Sequence, residues 1–357
     1  MITFDHIEVK QDSYQQLVNL LKYETGFNLE YYRKDFIIRR IKARMIRVNC
    51  FTLDSYYNYI ISNKEEEIKK FIASFTINYS SFFRNWEVFD LFQTLFLNGL
   101  EVDKRSILSD LRPTLRPNYP LLTKKKKRSN SKNGKDKKRS PNQRKKFTTP
   151  QPLKRYYSQS ELSYFKLTTL YQKLKYKSQR PINIWSCPCA TGEEPYSIAM
   201  IFDNLKKQIS NFPNYFIVAS DIDKGAISKA RKGIYIEESM KEVSNYYEHN
   251  YFTRTSDYIG YKYAIKDEIK REINFIVEDI TKEHKKNLRY DIIFCRYLLI
   301  YFNRENRNKF LKILESRLNY GGLLIIGKTE TLFKTECNLR LVDSRNHVYL
   351  KSTSNFI

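Results

Sequence analysis

The sequence is 357 residues long and carries 64 Lys and Arg against 39 Asp and Glu, a formal net charge of +25. That length accommodates two domains of ordinary size, and no apolar stretch approaches the ~20 residues that span a bilayer. The five cysteines are odd in number and form no Cys-x-x-Cys redox or zinc motif, and the first residues lack the pattern of a signal peptide, so a reducing, cytoplasmic setting is expected.

Residues 1–95 read as a small helical domain. Apolar residues recur every three or four positions in Tyr14–Tyr23, Phe36–Val48, Tyr56–Ile61 and Ile68–Phe75, with no strand-like alternation between them. The stretch Phe36–Arg47 places Arg40, Arg44 and Arg47 near one helical face, with Ile37, Ile41, Met45 and Val48 on another. A basic face of this kind suits an acidic helical substrate, although solvated charge opposite a core stripe is the plainer account.

Residues 96–180 read as a linker. Lys124 to Lys146 holds 13 Lys and Arg and one acid, Asp136. A run with so little to bury is expected to be disordered, at about 123–150. It is either a solvated insertion or a tether for anionic surfaces.

From residue 181 short apolar strands alternate with helices. Ile182–Trp185 precedes a helix beginning near Pro195, and Tyr215–Ala219 precedes a helix at Lys224–Lys232. Ile273–Val277 follows, then Asp291–Cys295 before a helix at Arg304–Leu318, and Gly322–Gly327. That rhythm implies βαβ units and a mostly parallel sheet. Tyr246–Arg271 interrupts it and reads as a small antiparallel insert.

The turn after the first strand, Thr191-Gly-Glu-Glu194, is where such a sheet holds a nucleotide-type ligand. Two glutamates there oppose a phosphate and suit a cationic ligand such as S-adenosylmethionine. Asp221 and Asp223 end the second strand, where an acid commonly accepts ribose hydroxyls. Glu278-Asp279-Ile280 follows the third strand, and Phe294-Cys-Arg-Tyr-Leu-Leu-Ile-Tyr-Phe302 spans the end of the fourth. Each feature also has an ordinary structural explanation: a capping box at Thr191 and Glu194, an N-cap at Asp221 or Asp223, core packing for Tyr301. Upstream, Thr76-Ile-Asn-Tyr-Ser-Ser-Phe-Phe-Arg84 is either a capped helix start with Phe82 and Phe83 in the core, or part of the same site.

These pieces together resemble the CheR-type methyltransferases that esterify glutamates of chemotaxis receptors. The likeness is carried by Asn78–Arg84, Thr191–Ser197, Ser220–Asp223 with Ala230–Tyr235, Phe294–Arg296 with Ile300–Phe302, and Gly321–Gly322 with Gly327–Glu330. It covers nearly all the chain outside residues 100–180. The resemblance implies an α/β, Rossmann-like S-adenosylmethionine-dependent methyltransferase domain over 181–357, with a β subdomain at about 234–273, preceded by a small all-α substrate-recognition domain. It implies that Asn78, Ser80 and Arg84 face the cofactor, that Glu194 holds the methionine amino group, and that Asp221 takes the ribose hydroxyls. It further implies that Asp279 and Ile280 flank the adenine, that Arg296 and Tyr297 line the pocket, and that Arg84 and Tyr301 lie beside the transferred methyl group. The partners implied are the cytoplasmic domains of membrane chemoreceptors, met by a monomer through the Arg40, Arg44 and Arg47 helix; no metal and no specific nucleic acid are expected. The chain departs from the family pattern at Tyr79, Asp279, Tyr297 and Lys328, and a ring at Tyr297 is expected to crowd the pocket. A non-catalytic adaptor and, from the basic run, a nucleic-acid methyltransferase remain as alternatives.

Overall fold

The computed structural model describes residues 11–25, 29–75, 80–99, 163–257, 260–282, 288–333 and 335–352. The basic run, Asn78 and Tyr79 lie outside these residues.

The amino-terminal part contains helices α1 (Gln11–Thr25), α2 (Lys34–Arg47), α3 (Leu53–Ser62) and α4 (Lys64–Phe75). Their apolar stripes, including Leu17, Leu21, Ile37, Ile41, Met45, Tyr56, Ile60 and Phe71, close over one core. Thr52 caps α3 by accepting from the Ser55 N–H at 3.2 Å, and Ser55 Oγ accepts from the Thr52 N–H at 3.3 Å, a reciprocal capping box.

Arg44 corrects the expectation of a three-arginine face. It is buried, and its guanidinium donates to both carboxylate oxygens of Glu67, at 2.8 and 2.5 Å, while the Tyr56 hydroxyl donates to the same carboxylate at 2.8 Å. At 100° per residue Arg44 lies only about 20° round the helix from Ile37, within the apolar stripe. Arg47 is exposed and Arg40 half-buried, so the basic face loses its central member.

Helix α5 (Trp86–Gly99), expected within the helical domain, packs instead on the second half of the chain. Phe92 and Phe96 meet Phe202 with ring centroids 6.4 and 5.4 Å apart. A short helix α6 (Thr169–Lys175) then leads into a seven-stranded sheet. Its strands are β1 (Ile182–Ser186), β2 (Tyr215–Asp221), β6 (Ile273–Val277), β7 (Tyr290–Cys295), β8 (Leu318–Ile326), β9 (Leu339–Asp343) and β10 (Val348–Lys351). The spatial order is β6-β2-β1-β7-β8-β10-β9, parallel through β8 and antiparallel at β10 and β9. The strand order reverses at β1 and β7, which makes a crevice at their carboxyl ends. Helices α7 (Glu193–Gln208), α8 (Lys224–Lys232) and α11 (Arg304–Arg317) form the crossovers.

The insert is a three-stranded antiparallel sheet of β3 (Ile234–Ile236), β4 (Phe252–Asp257) and β5 (Gly260–Ile265). Two short helices, α9 (Asn245–Tyr251) and α10 (Asp267–Lys270), flank β4 and β5, so Tyr246–Tyr251 is helical where strand was expected. No helix among the described residues is long and apolar enough to cross a membrane.

Candidate active site

One cavity of about 390 Å³ opens at the carboxyl ends of β1, β2, β6 and β7, a volume within the ordinary range for a small-molecule site. Ser80, Arg84, Glu194, Asp221, Asp279, Ile280, Arg296, Tyr297 and Tyr301 all line it. Arg40 packs at its edge: its guanidinium lies 5.0 Å from the Phe36 ring centroid, and Phe36 in turn lies 4.6 Å from Tyr301. Arg44 takes no part in it.

The glycine turn is set by sterics. Gly192, the N-cap of α7, has φ +96°, and a Cβ there would come within 2.8 Å of the Ala230 Cβ on α8. No side chain caps this helix start, so Thr191 and Glu194 do not form a capping box. The two glutamates then diverge. Glu193 turns inward and accepts from Thr191 Oγ1 at 2.7 Å and Ser239 Oγ at 3.2 Å; burial pushes its carboxyl up. Glu194 faces the cavity, accepting from Ser186 Oγ at 2.7 Å and from Arg296 Nη1 at 3.0 Å.

The two aspartates separate in the same way. Asp223 caps α8, accepting from the Gly225 and Ala226 N–H groups at 2.7 and 3.1 Å. Asp221 lines the cavity and accepts from the Ala190 N–H at 2.8 Å and the Asp223 N–H at 3.0 Å. Burial pushes its carboxyl up to about 6, against the pull of those hydrogen bonds. Because folding raises it, this group costs stability as pH rises through 6 and costs least in acid. A ligand that donates to the ionised carboxylate reverses the sign for binding: affinity is full above about pH 6 and falls below it.

At the far wall Asp279 Oδ1 accepts from the Thr281 N–H and hydroxyl at 3.1 and 2.6 Å, while Oδ2 is buried without a hydrogen-bond partner and lies 3.6 Å from Lys282 Nζ. Glu278 is held from behind by Arg317, Nη1 to Oε1 at 3.3 Å.

Ser80 and Arg84 are presented by the aromatic pair between them. Phe82 packs edge-on to Tyr235 and Phe252 at 4.7 and 5.0 Å, and Phe83 packs on Trp86, Phe89 and Tyr247. Phe83 and Asn85 have φ of 54° and 62°, a left-handed backbone that a bulky residue adopts only when its surroundings hold it there. The Phe83 N–H donates to Ser197 Oγ at 2.8 Å, which fixes this segment to α7. The two phenylalanines are thus core residues, and by being so they aim their polar neighbours at the cavity.

Tyr297 does not close the pocket. Its ring stands beneath the Arg84 guanidinium, 4.0 Å from carbon to ring centroid, and its hydroxyl donates to Asn85 Oδ1.

Sequence reasoning missed Tyr32, Asn85 and Ser186. Tyr32 comes from the helical domain and reaches the cavity because it forms a β-bridge with Phe302, with the Arg33 N–H donating to the Tyr301 carbonyl at 2.8 Å. Burial, then the charges of Asp279 and Asp221, raise its phenol, so it stays protonated. A lone tyrosine before a helix carries no signal of this. Asn85 adjoins the Asn78–Arg84 motif, and the sequence carries no further signal of its role.

A doubly wound sheet in 3-2-1-4-5 order through its parallel strands, with a carboxylate-lined crevice at the switch point, is a Rossmann-like domain of the class that holds nucleotide-type ligands at that crevice. Residues 154–348 match the family model described as the SAM binding domain of CheR methyltransferase, and residues 12–76 match its all-alpha domain. The chain belongs to the CheR methyltransferase family, whose cofactor is S-adenosylmethionine. It is similar to a chemotaxis protein methyltransferase of Vibrio parahaemolyticus, 35% identical over 43% of this chain and 56% of that protein. It is likewise similar to chemotaxis protein methyltransferase 2 of Vibrio cholerae, 36% identical over 42% of this chain and 52% of the other. The chain thus spans about half the length of these curated relatives. A chemotaxis protein methyltransferase of Listeria monocytogenes aligns over 96% of this chain and 98% of its own length at 23% identity.

Proposed function

We propose that this protein transfers the methyl group of S-adenosylmethionine to glutamate side chains on the cytoplasmic domains of chemoreceptors. The observation that carries the reading is the cavity at the switch point of a family-matched domain, lined by Glu194, Asp221 and Asp279 and covered from the helical side by Ser80 and Arg84. When bound, the cofactor supplies an electrophilic methyl on a sulfonium.

Glu194 is assigned to the ammonium of the methionine part. An ionised carboxylate has about four acceptor sites, so the bonds to Ser186 and Arg296 leave room for two more. Asp221 accepts from the ribose hydroxyls, and Asp279 and Ile280 flank the adenine. Ser80 faces the cofactor; Asn78 is assigned with it from the family motif alone. Four carboxylates in one cavity, Glu194, Asp221, Glu278 and Asp279, disfavour a nucleoside triphosphate and favour a cation.

The incoming glutamate is ionised at neutral pH and needs no general base. What the chain supplies is placement. Arg84 orients the attacking carboxylate by charge. Tyr301 sits in the field of Arg40 and Arg84; burial, the larger effect, raises its phenol, so it remains a hydrogen-bond donor. Arg40 and the exposed Arg47 are left to meet an acidic receptor helix.

The test is transfer of label from methyl-labelled cofactor to membranes carrying chemoreceptors. Wild type is expected to leave base-labile label on the receptor, and Arg84→Ala at least about 100-fold less, the scale expected when an orienting charge is lost. Base-stable label, or label in nucleic acid, contradicts the reading.

A further inference from the structure

We propose that Tyr297 is a positioning residue for Arg84: its ring supports the guanidinium, and its hydroxyl fastens the segment that carries it. The structural part stands on geometry alone, and its catalytic consequence rests on the function proposed above.

Tyr297 has φ 61°, a strained conformation for a bulky side chain. Two features hold it there. The buried Glu330 carboxylate accepts from the N–H groups of Tyr297, Leu299 and Gly327 at 2.8, 2.7 and 2.6 Å, which pins the loop from both sides. Gly327 leaves space for the ring: a Cβ at that position would come within 2.8 Å of Tyr297 Cδ1. Strain that is kept in place by its surroundings at a cavity wall points to a use for the side chain.

That use is visible on the other side of the ring. The Arg84 guanidinium carbon lies 4.0 Å from the ring centroid and that of Arg296 lies 5.3 Å from it. The Tyr297 hydroxyl and Arg296 Nη2 both donate to Asn85 Oδ1, and Arg296 Nη2 also donates to the Arg84 carbonyl at 2.8 Å. The backbone of residues 84 and 85 is thereby tied to the loop after β7, while the Arg84 side chain lies against an electron-rich face. The same Arg296 bonds Glu194, so one connected set links the backbone of Arg84 to that cavity glutamate. A long side chain with a mobile charge becomes one with a fixed charge, and a charge fixed beforehand need not reorganise during reaction.

The experiment has a part that needs no ligand and a part that needs turnover. In protein labelled at arginine, the Arg84 Nε–H resonance, assigned by its loss in Arg84→Lys, is expected to be shifted upfield by the Tyr297 ring. The shift should persist in Tyr297→Phe and vanish in Tyr297→Leu. An unshifted resonance in wild type overturns the proposal whatever the variants do. In the methyl-transfer assay Tyr297→Leu should lower kcat about tenfold with little change in KM for the cofactor, yet cost nothing further in an Arg84→Ala background. Equal losses in both backgrounds would show that the ring acts independently of Arg84 and would also overturn it. Absence of transfer by wild type itself contradicts the functional reading instead, and the resonance still decides the placement.

Discussion

Glu194→Gln is expected to weaken binding of S-adenosylhomocysteine about 100-fold, close to 3 kcal/mol, in a calorimetric titration at neutral pH. The substitution keeps the shape of the side chain and its bond to Ser186 Oγ, so the loss isolates charge. Two effects add. The ligand ammonium loses its counter-charge, and Arg296, whose side chain is 3% exposed, keeps a buried positive charge with its ionic partner gone. The backbone tie from Arg296 to Arg84 should weaken with it. Glu193→Gln is the contrasting variant, because that carboxylate points into the protein onto Thr191 and Ser239. Equal affinity in wild type and Glu194→Gln would remove Glu194 from the site.

Arg44→Ala is expected to destabilise the protein by about 3–5 kcal/mol, read as a lower thermal midpoint of the helical domain. The arginine and Glu67 have side-chain exposures of 8% and 1%, and deleting one partner leaves the other charge stranded between α2 and α4. Tyr56, which donates to the same carboxylate, ties α3 into the pair. Replacing both charges, as in Arg44→Met with Glu67→Leu, should restore most of the loss, since a packed apolar pair pays no desolvation. A cost below about 1 kcal/mol for Arg44→Ala would mean that the pair behaves as a surface ion pair. This outcome also bears on recognition. A methylation defect in Arg44→Ala would report unfolding, so receptor contacts are better probed at Arg40 and Arg47.

The parallel half of the sheet was legible because its strands are short apolar runs ended by turns, and α8 and β6 begin and end where the pattern said. Strands β9 and β10 were not. Leu339–Asp343 is a partly exposed edge strand carrying Arg340 and Asp343, so its pattern is no more apolar than a loop. The helix Asn245–Tyr251 was hidden by its tyrosines, which favour strands by propensity but here turn Tyr247 and Tyr251 into the core. Charge alone does not mark Arg44 as a surface residue, because its angular position sets it beside Ile37 and Ile41, where Glu67 pairs with it in the interior. At the site, spacing alone left Glu193 against Glu194 and Asp221 against Asp223 undecided. Each pair contains one side chain that satisfies the local backbone or neighbouring hydroxyls and one that faces the cavity, and only tertiary contacts separate them. Tyr32 lay beyond reach altogether, since it depends on a pairing between residues 32 and 302.

The most direct test of the central claim, that the carboxylate-lined cavity is a site for S-adenosylmethionine, is a calorimetric titration of the whole protein with S-adenosylmethionine and, separately, with ATP. One molecule of S-adenosylmethionine per chain should bind at pH 7.5, and its affinity should fall by up to about tenfold per unit as pH drops below 6 and Asp221 takes up a proton. ATP, which brings a triphosphate to Glu194, should not bind. No heat with S-adenosylmethionine, or equal binding of ATP, would contradict the account.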